Sequence, residues 1–425
     1  MSPFDTFAAY ESQVRSYCRS FPALFERAKN AELFDVDGRR WIDFLAGAGA
    51  LNYGHNPESL KGALLEYIAA DGLTTGLDLH TTAKATFLAE FAGRVLAPRN
   101  LSYRMQFTGP TGTNAVEAAL KLARKATGRT NVIAFMGGYH GHSLGALAAT
   151  ANREHREGAG RPLDGVTLVP YPDGRIPGFD SLGYLQALLT DGHSGLDLPA
   201  AVILETVQAE GGIYVAPAEF LRGLRELCTR HGIVLIIDDI QVGCGRTGPF
   251  FSFETAGITP DLVTLSKSIS GYGLPMAVLL IRDGLDIWKP AEHTGTFRGN
   301  QLAFVTAAAA LRWRDEIGLE AKVNADANFL DLTLRSGVGA LDPRIAIRGT
   351  GMIWGIDLAG VDPTGELARN IGRMAFDAGL IVERVGRNDT VLKILPPLTI
   401  PRAQLAEGCA IIECAAKTAL EAWIS

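Results

Sequence analysis

The sequence predicts an α/β protein with a mostly parallel central sheet, helices on both faces of it, and a smaller α+β lobe. Three observations carry this. Short apolar runs recur through the middle of the 425-residue chain; rich in Val, Ile and Leu and barely alternating, they suit strands buried on both faces. Amphipathic helical patterns separate them, and that alternation winds a parallel sheet with helices on either side. Beyond residue 311 the rhythm changes to strands followed by one long helix. The chain is also too long for one simple core, so two lobes are expected.

Residues 1–57 contain a hairpin-like piece, "ELFDVDGRRWIDF", and are expected to pack on the small lobe. Residues 58–310 form the large domain. Its candidate strands are "NVIAFM" (131–136), "VTLVPY" (166–171), "AAVILE" (200–205), "IVLIID" (233–238), "LVTL" (262–265) and "MAVLLI" (276–281). In "AEFLRGLRELCTRHG" (218–232), Leu221, Leu224, Leu227 and Cys228 share one helix face, and Gly232 sits where a left-handed stop belongs. Residues 311–425 are the α+β lobe, with strands in "IRGTGMIWGIDL" (347–358), "LIVERVG" (380–386) and "VLKILPPL" (391–398). A helix from Pro401 then carries Leu405, Cys409, Ile412, Ala416 and Leu420 on one stripe.

Composition narrows the function. A net charge of -6 with no basic run makes nucleic acid and anionic membranes poor partners. No apolar run approaches the ~20 residues that span a bilayer, and no basic-then-apolar leader opens the chain, so a cytoplasmic protein is expected. Cys18, Cys228, Cys244, Cys409 and Cys414 are odd in number and form no CxxC pair. Reduced, mostly buried thiols are expected, without disulfides or zinc.

Four motifs carry the chemistry. In "FTGPTGTNAVEAALKLAR" (107–124) a Gly–Thr turn opens a helix, offering N–H groups and a dipole end to an anion such as phosphate. No Gly-Lys-Ser/Thr follows, so this is not a Walker loop, and a plain capped helix is the bland alternative. In "LIIDDIQVGCGRTG" (235–248), Asp238 and Asp239 end an apolar strand at the edge where open α/β sheets take ligands. A metal pair, an anchor for a protonated ring nitrogen, and a loop ion pair are all readings of these acids. Lys267 stands at the end of the next strand, in "DLVTLSKSISGYGLP". A lysine there is either a surface residue or an amine that a shielded pocket keeps neutral for attack on a carbonyl. The fourth motif, "GGYHGHS" (137–143), offers Tyr139 as a flat plate; His140 and His142 lack an evident third ligand, so no metal is expected. A phosphate cradle, an aromatic plate, a ring-nitrogen carboxylate and a Schiff-base lysine together call for pyridoxal 5′-phosphate.

With these residues in view, the chain resembles the class III aminotransferases of fold type I, the ornithine and ω-amino acid group. The likeness runs from about residue 20 to the C-terminus, and is strongest in "DFLAGAGALNYGHN", "QFTGPTGTNAVEAALKLARK", "IIDDIQVGCGRTG" and "HTGTFRGNQLAFVTA". The resemblance points to the branch that aminates L-aspartate 4-semialdehyde with L-glutamate in a ping-pong cycle, as in ectoine biosynthesis. Another ω-amino acid aminotransferase, of ornithine or 4-aminobutyrate type, and a racemase or aminomutase of the same fold are the alternatives. The resemblance implies that Lys267 holds the cofactor, Asp238 meets its ring nitrogen, and Gln241 its 3′-oxygen. Ile240 would press on the ring face opposite Tyr139, and Gly112 and Thr113 would bind phosphate. Thr296 would reach the phosphate of a neighbouring subunit, which implies a homodimer or larger assembly with the site at the interface. Two departures concern the substrate. "TFGGN" has become "TFRGN" with Arg298, and the arginine that relatives pair with a glutamate matching Glu210 is Lys393. Either Lys393 or Arg298 would then receive the substrate carboxylate.

Overall fold

The computed structural model describes residues 2–424. Its strands, in chain order, are β1 (Phe25–Lys29), β2 (Glu32–Asp35), β3 (Arg40–Asp43), β4 (Tyr103–Phe107), β5 (Val132–Phe135) and β6 (Val166–Val169). There follow β7 (Ala201–Leu204), β8 (Val207–Gln208), β9 (Tyr214–Val215), β10 (Val234–Asp238), β11 (Leu262–Leu265) and β12 (Val278–Arg282). The last five are β13 (Ala346–Thr350), β14 (Ile353–Asp357), β15 (Leu380–Ile381), β16 (Glu383–Val385) and β17 (Val391–Ile394).

Seven strands make the central sheet in the order β4-β12-β11-β10-β7-β5-β6. Every strand foreseen there forms, and β12 alone runs against its neighbours β11 and β4. The sequence reading missed β4. It is an edge strand whose exposed Arg104 breaks the continuous apolar run that marked the central strands. The helix Ala218–His231 buries Leu221, Leu224, Leu227 and Cys228 and ends at Gly232 with φ +59°, the left-handed stop its sequence called for.

The stretch 347–358 is two strands rather than one. Gly351, at φ +54°, turns the chain so that Thr350 pairs with Ile353. Residues 380–386 are divided as well: β15 joins β3 in parallel, while β16 pairs with β17. An apolar cluster unites Ile42 and Phe44 with Leu380, Leu392, Leu405 and Ile412. The final helix, Arg402–Ile424, buries the whole stripe from Leu405 to Leu420. Arg246 crosses between these parts with no exposed surface. Its Nη2 donates to Asn52 Oδ1 at 2.6 Å and its Nη1 to the Met352 carbonyl at 3.0 Å. Burial lowers its guanidinium to about 9. All five cysteines are free, and Cys228, Cys244 and Cys409 are buried. Among the described residues no helix is long and apolar enough to cross a membrane.

Candidate active site

Strands β10 and β11 run parallel with Asp238 opposite Thr264, so the acid and the lysine three residues further on leave the sheet at one edge. Lys267 has φ +50°. A non-glycine residue held there is strained by about 1–3 kcal/mol, and such strain gathers at functional sites. Burial lowers its ammonium below the ordinary lysine range; Glu210, Glu383 and Asp238 oppose that shift, and Lys393 adds to it.

Asp238 is held by three donors. His140 Nδ1 lies 2.6 Å from Oδ2, while the Ile240 N–H and the Thr264 hydroxyl reach Oδ1 at 3.2 and 3.1 Å. Burial by itself would lower the His140 imidazole, but the bond to Asp238 and its charge raise it above the usual range. The histidine read from sequence as half of a weak HxH pair is thus the partner of the strand-end acid. Asp239 faces the other way, as neighbours on an extended chain must. Its Oδ2 accepts the Ser252 N–H at 3.1 Å, and burial pushes its carboxyl up to about 7. The two aspartates therefore do not converge on one ion. Among the described residues no group of His, Cys, Asp or Glu is arranged to hold a metal.

Thr111 caps the helix Gly112–Thr127. The first-turn N–H groups of Gly112 and Thr113 have no acceptor within the helix. A Cβ at Gly112 would lie 2.9 Å from Ile240 Cδ1, so a side chain there would push on Ile240. Thr113 Oγ1 meets Ser143 Oγ at 2.5 Å, and Ser143 donates to Glu117 Oε1 at 2.6 Å. Tyr139 stands edge-on to His142 and His155, and its N–H donates to Glu205 Oε2 at 2.9 Å. Burial raises its phenol to about 12, so the ring stays neutral.

A second cluster lies within electrostatic reach of Lys267. Lys393 has no exposed surface, and its Nζ is 2.6 Å from Glu210 Oε1, 2.7 Å from Glu383 Oε2 and 3.3 Å from Gln241 Oε1. Gln241 Nε2 also donates to Glu210, at 3.0 Å. Burial would raise the Glu210 carboxyl, but the lysine charges and these bonds bring it down to about 2. Burial would lower Lys393; Glu210 and Glu383 hold it above its ordinary value instead. The Tyr17 hydroxyl closes the cluster on Glu383 Oε1 at 2.9 Å. Arg298 lies elsewhere, bonded to Asp78 Oδ2 at 2.5 Å, and Thr296 is exposed in the same loop.

Sequence reasoning missed Glu205, Glu383 and Tyr17. Glu383 left a signal: it follows the apolar run "LIV" and pairs in register with Lys393, the lone charge in "VLKIL". Glu205 is buried, which pushes its carboxyl up to about 8, with His140 opposing and Asp238 reinforcing. Its folded value lies above the unfolded ~4.3, so the native state binds the extra proton and stability falls as pH rises between the two. For Glu205→Gln, the melting temperature relative to wild type is expected to climb from pH 5 to about 8 and then level off; a scanning-fluorimetry pH series measures it.

The cradle fits the cofactor implied by the sequence. It joins a helix start with free N–H groups, a strand-end carboxylate fixed by three donors, a neutral aromatic ring and a lysine that burial drives toward its neutral form. Comparison with known proteins agrees. The family profile Aminotransferase class-III matches residues 14–416. The chain is 53% identical to the diaminobutyrate–2-oxoglutarate transaminase of Vibrio cholerae over 96% of this chain and 98% of that one. It is 52% identical to the enzyme of the same name from Streptomyces anulatus, over 97% and 98%. Among solved structures, the ornithine aminotransferase of Toxoplasma gondii, crystallised with pyridoxal phosphate partly occupying its active site, superposes with a TM-score of 0.85 at 26% identity over 99% of this chain and 95% of that one. The chain belongs to the class-III aminotransferases.

Proposed function

We propose that this aminotransferase moves the amino group of L-glutamate to L-aspartate 4-semialdehyde, giving L-2,4-diaminobutyrate and 2-oxoglutarate. Pyridoxal phosphate is its cofactor. The observation that carries the reaction type is the pairing of β10 with β11, which delivers Asp238 and Lys267 to one sheet edge. The substrates rest on the near-full-length identity to transaminases named for them.

Lys267, Asp238, Tyr139, Ile240 and Gln241 would hold the cofactor's ring, with Gly112 and Thr113 on its phosphate. When bound, the cofactor supplies an electron sink for the pair left behind when the amino-bearing carbon loses its proton. The residues do the rest. Lys267, favoured as a neutral amine by burial, takes that proton at Nζ and returns one for the reverse half-cycle. Asp238 presents a carboxylate whose orientation His140, Thr264 and the Ile240 N–H fix in advance, so no reorganisation is needed during reaction.

We place the active site at a homodimer interface and read the chain as residues 1–57, 58–310 and 311–425, the first packing on the last. Pairing of β3 with β15 supports that packing. Leu77, Leu79 and Phe297 stand exposed around the Asp78–Arg298 pair, and such an apolar patch suits a partner subunit. Free thiols fit a reducing, cytoplasmic setting.

Incubated with glutamate alone, the purified enzyme is expected to release one 2-oxoglutarate per active site and stop. With aspartate 4-semialdehyde, glutamate 5-semialdehyde and succinate semialdehyde offered side by side, the first is expected to restore turnover best. Equal turnover with all three would refute the substrate assignment.

A further inference from the structure

A cavity of about 190 Å³, built from none of the cradle residues, has three guanidiniums in its wall: Arg94, Arg99 and Arg314. Phe250, Asp315 and Glu320 stand among its other lining groups. Two of the arginines are already matched. Arg94 meets Glu90 and Asp315, each at 2.6 Å, and Arg99 meets Glu254 at 2.8 Å. Arg314 is different. Only 8% of its side chain is exposed, yet neither Nη1 nor Nη2 has a hydrogen-bond partner among the described residues. Glu320, in the first turn of the helix Leu319–Ser336, comes to 3.5 Å from Nη2 with 53% of its own side chain exposed. Two further neighbours stay neutral: burial raises the Tyr53 phenol and pushes the Cys244 thiol up to about 12. The Phe250 ring, 5.2 Å from Arg314 and 5.8 Å from Arg99, adds weak cation–π contacts but no acceptor.

A buried charge is costly unless it is paired and hydrogen-bonded, so this guanidinium calls for an acceptor that the chain itself does not supply. We propose that the cavity binds a small oxyanion of phosphate size, held by Arg314 with Arg94 and Arg99 around it. The planar fork of Arg314 matches two oxygens of such an anion at once. At the ~30 Å³ that each water takes in the liquid, the cavity is worth about six waters. That admits one tetrahedral anion with part of its hydration, and lies below the roughly 300 Å³ at which pockets for larger organic ligands begin. The anion would also steady the fold. A Cβ at Gly245 would lie 2.4 Å from Arg314 Nη1, so the guanidinium packs directly against the turn that follows Asp239. Bound there, the anion ties Arg94 and Arg99 to that turn and to the helix Gln301–Glu316.

The test titrates inorganic phosphate into the holoenzyme, whose cofactor site is already filled, with ionic strength held constant by chloride. Isothermal titration is expected to show one saturable phosphate site per chain. The melting temperature should rise by about 2 °C once phosphate is about tenfold over its Kd. Arg314→Met is expected to weaken phosphate binding by about 10- to 100-fold, the loss of a charge-assisted hydrogen-bonding group. Glu320→Gln removes the acid that competes for Nη2 and should tighten phosphate binding by about two- to fivefold. Its position is half exposed, so it carries the test should the methionine variant fail to fold. Wild-type enzyme without a saturable site would overturn the proposal. An equal response in Arg314→Met would do so too, because a general salt effect acts on both proteins alike. So would a phosphate affinity left unchanged by Glu320→Gln.

Discussion

Replacing Lys267 with alanine is expected to abolish transamination, with a loss of at least about 10⁴-fold in the glutamate half-reaction. Positioned proton transfer alone contributes roughly 10²–10⁴-fold, and removing the covalent anchor adds to that. The protein itself should survive the change. Burial lowers the Lys267 ammonium, so the unfolded chain binds a proton that the native state resists. That mismatch weakens the wild-type fold at pH values below the unfolded lysine's ~10.4 and fades as pH rises toward it. Alanine removes the mismatch, and φ +50° strains it no more than it strains lysine. The cofactor-free variant should therefore melt at or above the wild-type temperature at pH 7 while showing no lysine-linked visible absorbance when cofactor is supplied. A small added amine should restore part of the turnover by supplying the missing base. Lys267→Arg should not recover activity, since guanidinium does not give up its proton. Activity within tenfold of wild type in the alanine variant would remove Lys267 from the mechanism.

How much of this was legible in the sequence follows from where each signal lies along the chain. The central strands were legible because burial on both faces leaves an unbroken apolar run, and β4 was not because an edge strand alternates. Lys267 and Asp238 were legible because each interrupts such a run at its end, and parallel pairing then brings the two ends together. The internal breaks at Gly351 and Val382 were hidden, since a tight turn inside an apolar stretch changes the hydrophobic pattern very little. Partnerships across long sequence separations were hidden too. His140 lies 98 residues from Asp238, and Tyr17 lies 366 from Glu383, so no local spacing could announce either. For the same reason the sequence left Lys393 and Arg298 as equal candidates for a carboxylate. The fold separates them: one is enclosed between two acids, the other bonds Asp78 in an exposed loop.

Asp238→Asn should have the next largest effect, lowering kcat by about 10²–10³-fold, the range seen when one preorganised electrostatic partner is lost. The substitution keeps size and shape but exchanges one acceptor oxygen for a donor. Three donors now point at the carboxylate: His140 Nδ1 at Oδ2, and the Ile240 N–H with the Thr264 hydroxyl at Oδ1. An amide turned one way sets its NH₂ against the Ile240 N–H. Turned the other way it faces His140, which must then move its proton to Nε2, an atom with no partner among the described residues. Either orientation leaves a buried donor unpaired, costing about 1–3 kcal/mol, so a lower melting temperature should accompany the catalytic loss. The diagnostic readout is His140. Burial pulls its imidazole down and Asp238 is the first of the influences holding it up, so without the carboxylate its titration should move to lower pH, seen directly by NMR. A fall in kcat with the His140 titration unmoved would show that the acid acts on the cofactor alone, and the His140–Asp238 contact would then have no part in catalysis.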